Sequence, residues 1–424
     1  MSVLPALWAG GTTLAAPLLR VSLRGRARRG KEIAARLAER EGIDPTPRPS
    51  GWLLWLHAAS VGESVSVLPV LRELARRSPE LNVLLTTGTV TSARLLADRL
   101  GEVEAPRVLH RFAPLDVPRW ARRFLDHWRP DAAAFVESEL WPNLLAGCRA
   151  RGIPTMLVNG RLSDRSFARW RCAPGAARQV MGMFDRIWAQ GEADAARFRA
   201  LGAARVEVRG NLKFAAPPLP ADMAEVVRLR ALLAGRPCWV AASTHPGEEA
   251  IVIAAHRALA ARCAGLLTIL VPRHPERGAE VAVLAGNLPM RRRALGEAPP
   301  ETGGVWIADT LGELGLWYRL APVALVGRSL VPPGGGQNPL EPVRLGCVVA
   351  SGPLMGNFAE AAAALEAAGA LARVRDGAEL ARFVAAMLDD PARRAVAAEA
   401  GRAAIARYAE LPGATADALL ELLD

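Results

Sequence analysis

Glu63 closes the stretch Leu53-Leu54-Trp55-Leu56-His57-Ala58-Ala59-Ser60-Val61-Gly62-Glu63, an apolar run of strand length that meets a tight polar turn. Amphipathic helix is predicted from Val65 to about Arg76. Open α/β sheets bind ligands outside the carboxyl ends of their strands, so a carboxylate at that edge is a candidate for proton transfer. Ser60 and Glu63 also fit a capping box, in which both side chains only tie off the helix start. A base needs a carboxylate free of its own backbone and facing the ligand, so the two readings differ in where this side chain points.

Other polar groups recur at strand ends. Glu137-Ser138-Glu139-Leu140-Trp141-Pro142-Asn143 follows a buried strand and offers two more carboxylates, for acid/base work or for structural hydrogen bonds. Asn159-Gly160-Arg161 and Gly210-Asn211-Leu212-Lys213 repeat the placement. In the second half the pattern suits anions. Ser243-Thr244-His245-Pro246-Gly247-Glu248-Glu249 leaves a strand and opens a helix, which aims hydroxyls and N–H groups at one spot. Pro272-Arg273-His274-Pro275 fixes a guanidinium at the next strand end, where it suits bidentate phosphate binding. Asp309-Thr310-Leu311-Gly312-Glu313-Leu314 is a further strand-to-helix turn. Gly334-Gly335-Gly336-Gln337-Asn338-Pro339-Leu340-Glu341 is a glycine-rich loop entering a helix, where backbone can approach a phosphate and Glu341 can accept ribose hydroxyls. Each signal is weak alone. Four on successive strand ends favour a nucleotide-phosphate site over a set of caps.

The elements that must carry these residues alternate. Apolar strands are expected at Leu53–Leu56, Val83–Thr86, Ala132–Val136, Thr155–Val158, Ile187–Ala189 and Val206–Val208, separated by helical stretches. Residues Phe214 to Pro220, with three prolines, read as a linker. A second series follows at Trp239–Ala242, Thr268–Val271, Val305–Ile307, Val323–Val326 and Val348–Ala350, and from about Ala378 the chain is alanine-rich helix. Length agrees, since 424 residues exceed one ordinary core. The simplest architecture is two α/β domains in tandem with a cleft between them.

The net charge of +11 implies an anionic partner: nucleic acid, a membrane surface or a phosphorylated substrate. Only 5% of residues are aromatic, two of them tyrosine, which argues against stacking on single-stranded nucleic acid. Five cysteines without C-x-x-C pairing indicate neither a zinc site nor a disulfide framework. The chain has no D-x-D pair for a metal-held sugar nucleotide, no Walker loop and no G-x-S-x-G elbow. Residues Ser2 to Leu19 are uncharged and are followed by Arg20, Arg24, Arg26, Arg28, Arg29 and Lys31. That reads as a membrane anchor, a short span or an interfacial helix, with the arginines on the cytoplasmic side against anionic headgroups. A connecting helix from Arg29 to about Glu41 is expected next.

The stretches W-L-H-A-A-S-V-G-E, E-S-E-L-W-P-N, N-G-R-L-S-D-R-S, A-Q-G-E-A-D-A-A-R-F, G-N-L-K-F, S-T-H-P-G-E-E, P-R-H-P-E-R, D-T-L-G-E-L and N-P-L-E-P, in this order, resemble the 3-deoxy-D-manno-octulosonic acid (Kdo) transferases of lipopolysaccharide assembly. The likeness runs from about Arg28 to about Phe358. It implies a GT-B fold of two Rossmann-like domains, residues 32–216 for the acceptor and 217–424 for the CMP-sugar, behind a membrane-anchoring segment at 1–31. It further implies inverting transfer from CMP-Kdo to a lipid A precursor (lipid IVA), without metal or cofactor and without nucleic acid, on the cytoplasmic face of a bacterial inner membrane. Glu63 matches the family's general base. Arg273, Gly312, Asn338 and Glu341 match nucleotide contacts, to which Ser243, Thr244, His274 and Glu313 are added. Ser60, Gly62, Glu137, Arg161 and Lys213 fall on the acceptor or sugar side. Two positions depart from the family: Gln337 stands where a histidine is usual and Arg328 where a glycine is usual, so a titrating imidazole is excluded at 337. A GT-B enzyme using a UDP-sugar, or a non-catalytic binder of anionic lipid or nucleic acid, are the rival readings. The number of Kdo residues added and the oligomeric state are not encoded in any feature of the sequence.

Overall fold

The computed structural model describes residues 4–101, 107–215 and 217–424. Ser2 and Val3 of the expected anchor and Ala216 of the expected linker lie outside them. The chain forms two compact units, Met1–Ala216 with Tyr408–Asp424, and Pro217–Arg407.

In the first unit, β1 (Leu53–His57), β2 (Asn82–Thr87), β3 (Val108–Phe112), β4 (Ala132–Val136), β5 (Thr155–Gly160), β6 (Arg186–Ala189) and β7 (Val206–Val208) pair in parallel in the order 3-2-1-4-5-6-7. β1, β2, β4 and β5 are buried end to end, which is why they read as unbroken apolar runs rather than alternating ones. Trp55 anchors the core, with ring centroids 4.8 Å from Phe124 and 5.0 Å from Phe135.

In the second unit, β8 (Cys238–Thr244), β9 (Leu267–Pro272), β10 (Met290–Arg292), β11 (Gly304–Ile307), β12 (Val323–Val326), β13 (Val348–Ser351) and β14 (Leu371–Arg373) pair in parallel in the order 10-11-9-8-12-13-14. Its core packs Trp306 against Trp317, with Trp239 on the other face of the sheet. Both orders reverse once, at β1/β4 and at β8/β12. Those reversals are where an open sheet leaves a ligand crevice at its carboxyl edge.

Two sequence expectations are adjusted. The expected second domain ran to residue 424, but Tyr408–Asp424 belongs to the first unit, where the helix Leu411–Leu420 packs on the helix Val61–Arg77 and Arg77 bridges Asp417 at 2.7 Å. The expected connecting helix Arg29–Glu41 is divided: a helix Leu4–Arg28 ends before it, and a 3-10 helix covers Ala34–Glu41. No described helix is long and apolar enough to cross a membrane. The helix Leu4–Arg28 lies on the first unit, through Trp8 Nε1 donating to Asp116 at 2.8 Å and Arg20 pairing with Glu41 at 2.6 Å. Leu7, Leu14, Leu18 and Val21, spaced for one helical stripe, stay exposed.

Candidate active site

The loop after β1 lies at the reversal of the first sheet. Ser60 caps the helix Val61–Arg77, its Oγ accepting from Glu63 N at 3.3 Å. Glu63 answers in two bonds: Oε1 accepts from Ser60 Oγ and Oε2 from Ala59 N, both at 2.7 Å. Glu63 thus caps the helix start, through the N–H of Ala59 rather than that of the N-cap Ser60, and the expectation of a carboxylate free of its own backbone is corrected. Capping does not exhaust the group. Each carboxylate oxygen carries two lone pairs, and one on each remains for a substrate proton. Burial pushes the Glu63 carboxyl above the usual range and the charges of Glu139 and Glu137 push it further, against the hydrogen bonds from Ser60 and Ala59. A rigidly held carboxylate of raised basicity is what general-base catalysis near neutral pH asks for.

Glu137 leaves β4 on the other side of the same reversal, held at φ 61 in the left-handed region. Its Oε1 pairs with Lys213 Nζ at 2.5 Å. The same ammonium lies over Gly62, where an added Cβ would meet Nζ at 3.6 Å. Three segments far apart in sequence thus bring Ser60, Gly62, Glu63, Glu137 and Lys213 together. Leu212 N donates to Asn159 Oδ1 at 3.0 Å, and Asn211 Nδ2 to Gln190 Oε1 at 3.1 Å, which fixes the backbone that carries Lys213. Arg161 is exposed; its carbonyl accepts from Ser138 Oγ at 2.7 Å, and no hydrogen bond or ion pair of its guanidinium is found among the described residues.

Glu139 belongs to a different chain of contacts. His57 Nε2 lies 3.2 Å from its Oε2 and Nδ1 lies 2.9 Å from Thr86 Oγ1; Trp141 Nε1 donates to the same carboxylate. Burial pushes the Glu139 carboxyl up, but the hydrogen bond and charge of His57, with Trp141, outweigh it and leave it below the usual range. His57 and Glu139 line a cavity of about 370 Å³ with Leu19 and Leu23 of the N-terminal helix, Ala59, Trp141 and Leu144. Its acidic walls are already partnered: Glu32 pairs with Arg40 and Arg26 of the same lining, and Asp116 accepts from Trp8 and Asn143 outside it. Apolar surface is what remains on offer.

In the second unit, Ser243 lies one residue before the end of β8, at φ 56 and half-exposed, while Thr244 ends the strand fully buried with its hydroxyl donated to Glu249 Oε1 at 3.1 Å. Arg277 pairs with that carboxylate at 2.6 Å. Arg273 N donates to Thr244 O at 2.9 Å, which fixes the end of β9; its guanidinium is exposed, with no partner found among the described residues. The exposed His274 ring lies 6.0 Å from that of His245. Gly334, Gly335 and Gly336 all have positive φ, and added Cβ atoms there would meet Leu354, Asn357 and Met355 within 3 Å, so the loop needs glycine on both counts. Asn338 Nδ2 donates to Glu341 Oε1 at 3.2 Å; burial pushes the Glu341 carboxyl up against this bond and the nearby Arg344 charge.

Gly312, at φ 82 and open to solvent, adjoins a separate network. Arg293 pairs with Glu313 at 2.7 Å and Glu225 at 2.9 Å, and Thr310 Oγ1 donates to Glu313. Burial pushes the Glu313 carboxyl up, and Arg293 with Thr310 bring it below the usual range. Sequence reasoning met His57, Glu248 and Glu249 only inside their motifs, without a role of their own, and missed Arg293. No group of three or more His, Cys, Asp or Glu side chains placed to hold a metal occurs among the described residues.

Two parallel doubly wound units, each with its polar loops at the strand reversal, define a GT-B fold; a glycosyltransferase from Rickettsia africae has this fold, with a TM-score of 0.58 at 11% identity, covering 89% of this chain and 100% of that one. Residues 32–216 match the sequence profile of the 3-deoxy-D-manno-octulosonic-acid transferases (kdotransferase). A 3-deoxy-D-manno-octulosonic acid transferase of Bordetella pertussis is 37% identical, covering 89% of each chain, and a probable mitochondrial one of Arabidopsis thaliana is 33% identical, covering 88% of this chain and 86% of that one. The chain belongs to the Kdo transferase family.

Proposed function

We propose that the protein transfers Kdo from CMP-Kdo to a lipid A precursor (lipid IVA) with inversion at the anomeric carbon. Glu63 takes the proton of the acceptor hydroxyl as its oxygen attacks that carbon; the bond to CMP breaks and its electrons leave with the phosphate. The exposed guanidinium of Arg273 meets that phosphate, and Ser243, Asn338 and Glu341 meet the nucleotide. Lys213, with Glu137, meets the acceptor or the Kdo carboxylate. The reading needs no metal or cofactor. The observation that carries it is Glu63, a buried carboxylate of raised basicity at the first sheet reversal. Incubation with CMP-Kdo and tetraacylated acceptor, with mass and anomeric analysis of the product, tests it: retained anomeric configuration, or turnover only with a UDP-sugar, refutes it.

The same reading places the enzyme on the cytoplasmic face of the inner membrane. The exposed stripe of Leu7, Leu14, Leu18 and Val21 and the arginines that follow suit a helix lying in an anionic surface. Replacing Leu14, Leu18 and Val21 by Ser should abolish flotation with anionic vesicles at high salt. Flotation at the wild-type level would end the idea.

A further inference from the structure

The geometry points to Glu248 as a positioning residue that holds the nucleotide-binding edge of the second unit in shape; this rests on reading that unit as the donor-binding one. Glu248 opens the helix Glu248–Ala260 and is fully buried. Its Oε2 accepts from His245 N at 2.9 Å and Arg328 N at 2.7 Å; its Oε1 accepts from Ser329 N at 2.8 Å and Leu330 N at 2.9 Å. Two N–H bonds on each oxygen fill its lone pairs. His245 follows β8, and Arg328 to Leu330 follow β12, so one carboxylate joins the two strands at which the sheet order reverses.

What it holds passes the restraint on. Gly327 O accepts from Gln337 N at 3.1 Å and Arg328 O from Gly336 N at 2.8 Å, which docks the glycine loop; Ser329 O and Oγ accept from Leu354 N at 3.0 Å and Gly352 N at 2.8 Å, beyond β13. Three successive backbone N–H groups around a residue at positive φ, here Arg328 at 57°, form a nest that ordinarily takes a phosphate. Here the chain supplies its own anion. Those amides are therefore unavailable to the donor, whose phosphate is met by other groups of this edge, Arg273 among them.

Glu248→Gln keeps the shape but faces two of the four N–H groups with an NH₂. The expected result is a folded protein whose KM for CMP-Kdo and Kd for CMP rise at least about tenfold with kcat at saturation little changed. A folded variant with wild-type CMP affinity overturns the inference, whatever its melting temperature. Should Glu248→Gln fail to fold, Glu248→Ala is assayed with formate as a replacement anion: CMP binding should recover with formate and not with chloride at equal ionic strength. Wild-type CMP binding without formate, or no recovery with it, refutes the role. Amide exchange separates this from the donor reading, because faster exchange at His245 and residues 328–330 in the Gln variant is expected without any nucleotide. If wild-type protein binds no CMP while that exchange still changes, the donor reading fails and the clamp stands; unchanged exchange ends the clamp.

Discussion

Replacing Glu63 by Gln separates its two duties. Gln Oε1 can take the place of Oε2 and keep the bond from Ala59 N, while Nε2 can donate to Ser60 Oγ, reversing a 2.7 Å bond rather than deleting it. The helix loses a negative charge near its N-terminus, worth about 0.3–1 kcal/mol. It is also relieved of burying that charge beside Glu137 and Glu139, the effect that raises the Glu63 pKa. The net change in stability is within about 1 kcal/mol, a melting shift of about 2–4 °C for a unit of this size. Catalysis has no such compensation, because an amide takes no proton, and a lost general base costs about a hundred- to ten-thousandfold in kcat. The assay is transfer from CMP-Kdo to a lipid acceptor over a pH series, beside a thermal melt. Wild-type activity should rise as the pH climbs through a pKa above the ordinary glutamate value, since only the deprotonated form serves; the variant should show a flat, low profile. More than about a tenth of wild-type activity in a variant that melts normally would refute the base assignment and leave Glu63 a cap.

Ser60→Ala removes a bond that lowers the Glu63 pKa, so the acid limb of the pH profile should move to higher pH while the lost cap costs about 1 kcal/mol in a denaturant titration; a limb that stays put argues against Glu63 as its source. Lys213→Met leaves Glu137 without its ion-pair partner beside Glu63, and should lower kcat/KM at least about tenfold and shift the same limb upward, read by steady-state kinetics. In the second unit Glu225 is held at about 2 by Arg228 and Arg293. A depressed carboxyl stabilises the fold above its unfolded pKa, an advantage lost as pH falls toward the folded one. Arg293→Ala should therefore melt lower than wild type at pH 7, with the gap narrowing from about pH 4.5 to pH 2.

The two sheets were legible because parallel strands covered on both faces are continuous apolar runs, and β1, β4, β5, β8, β9 and β12 are of that kind. The edge strands β3, β10 and β14, Val108-Leu109-His110-Arg111-Phe112, Met290-Arg291-Arg292 and Leu371-Ala372-Arg373, were missed because half-exposed edges carry charge. The helix after β1 starts at Val61, four residues before the expected Val65: apolar periodicity begins only there, while the start is set by the Ser60 cap. Glu63 and Glu137 stood out at strand ends, but their pairing with each other's surroundings and with Lys213 depends on strand order. Glu248 and Glu249 were hidden for another reason. Two glutamates in a first helical turn are the commonest surface pattern, and only the register of β12 against β8 turns one of them into a four-bond acceptor.

The return of Tyr408–Asp424 to the first unit has a consequence for biosynthesis. The helix Val61–Arg77, which carries Glu63 in its first turn, receives its cover from Leu411–Leu420, a segment translated about 340 residues later, after the whole of the second unit. The first unit is thus begun before the second and completed after it. Until that segment leaves the ribosome, the face of the Glu63 helix that meets it is uncovered, and a chain cut short after the second unit would carry every motif named above without that contact.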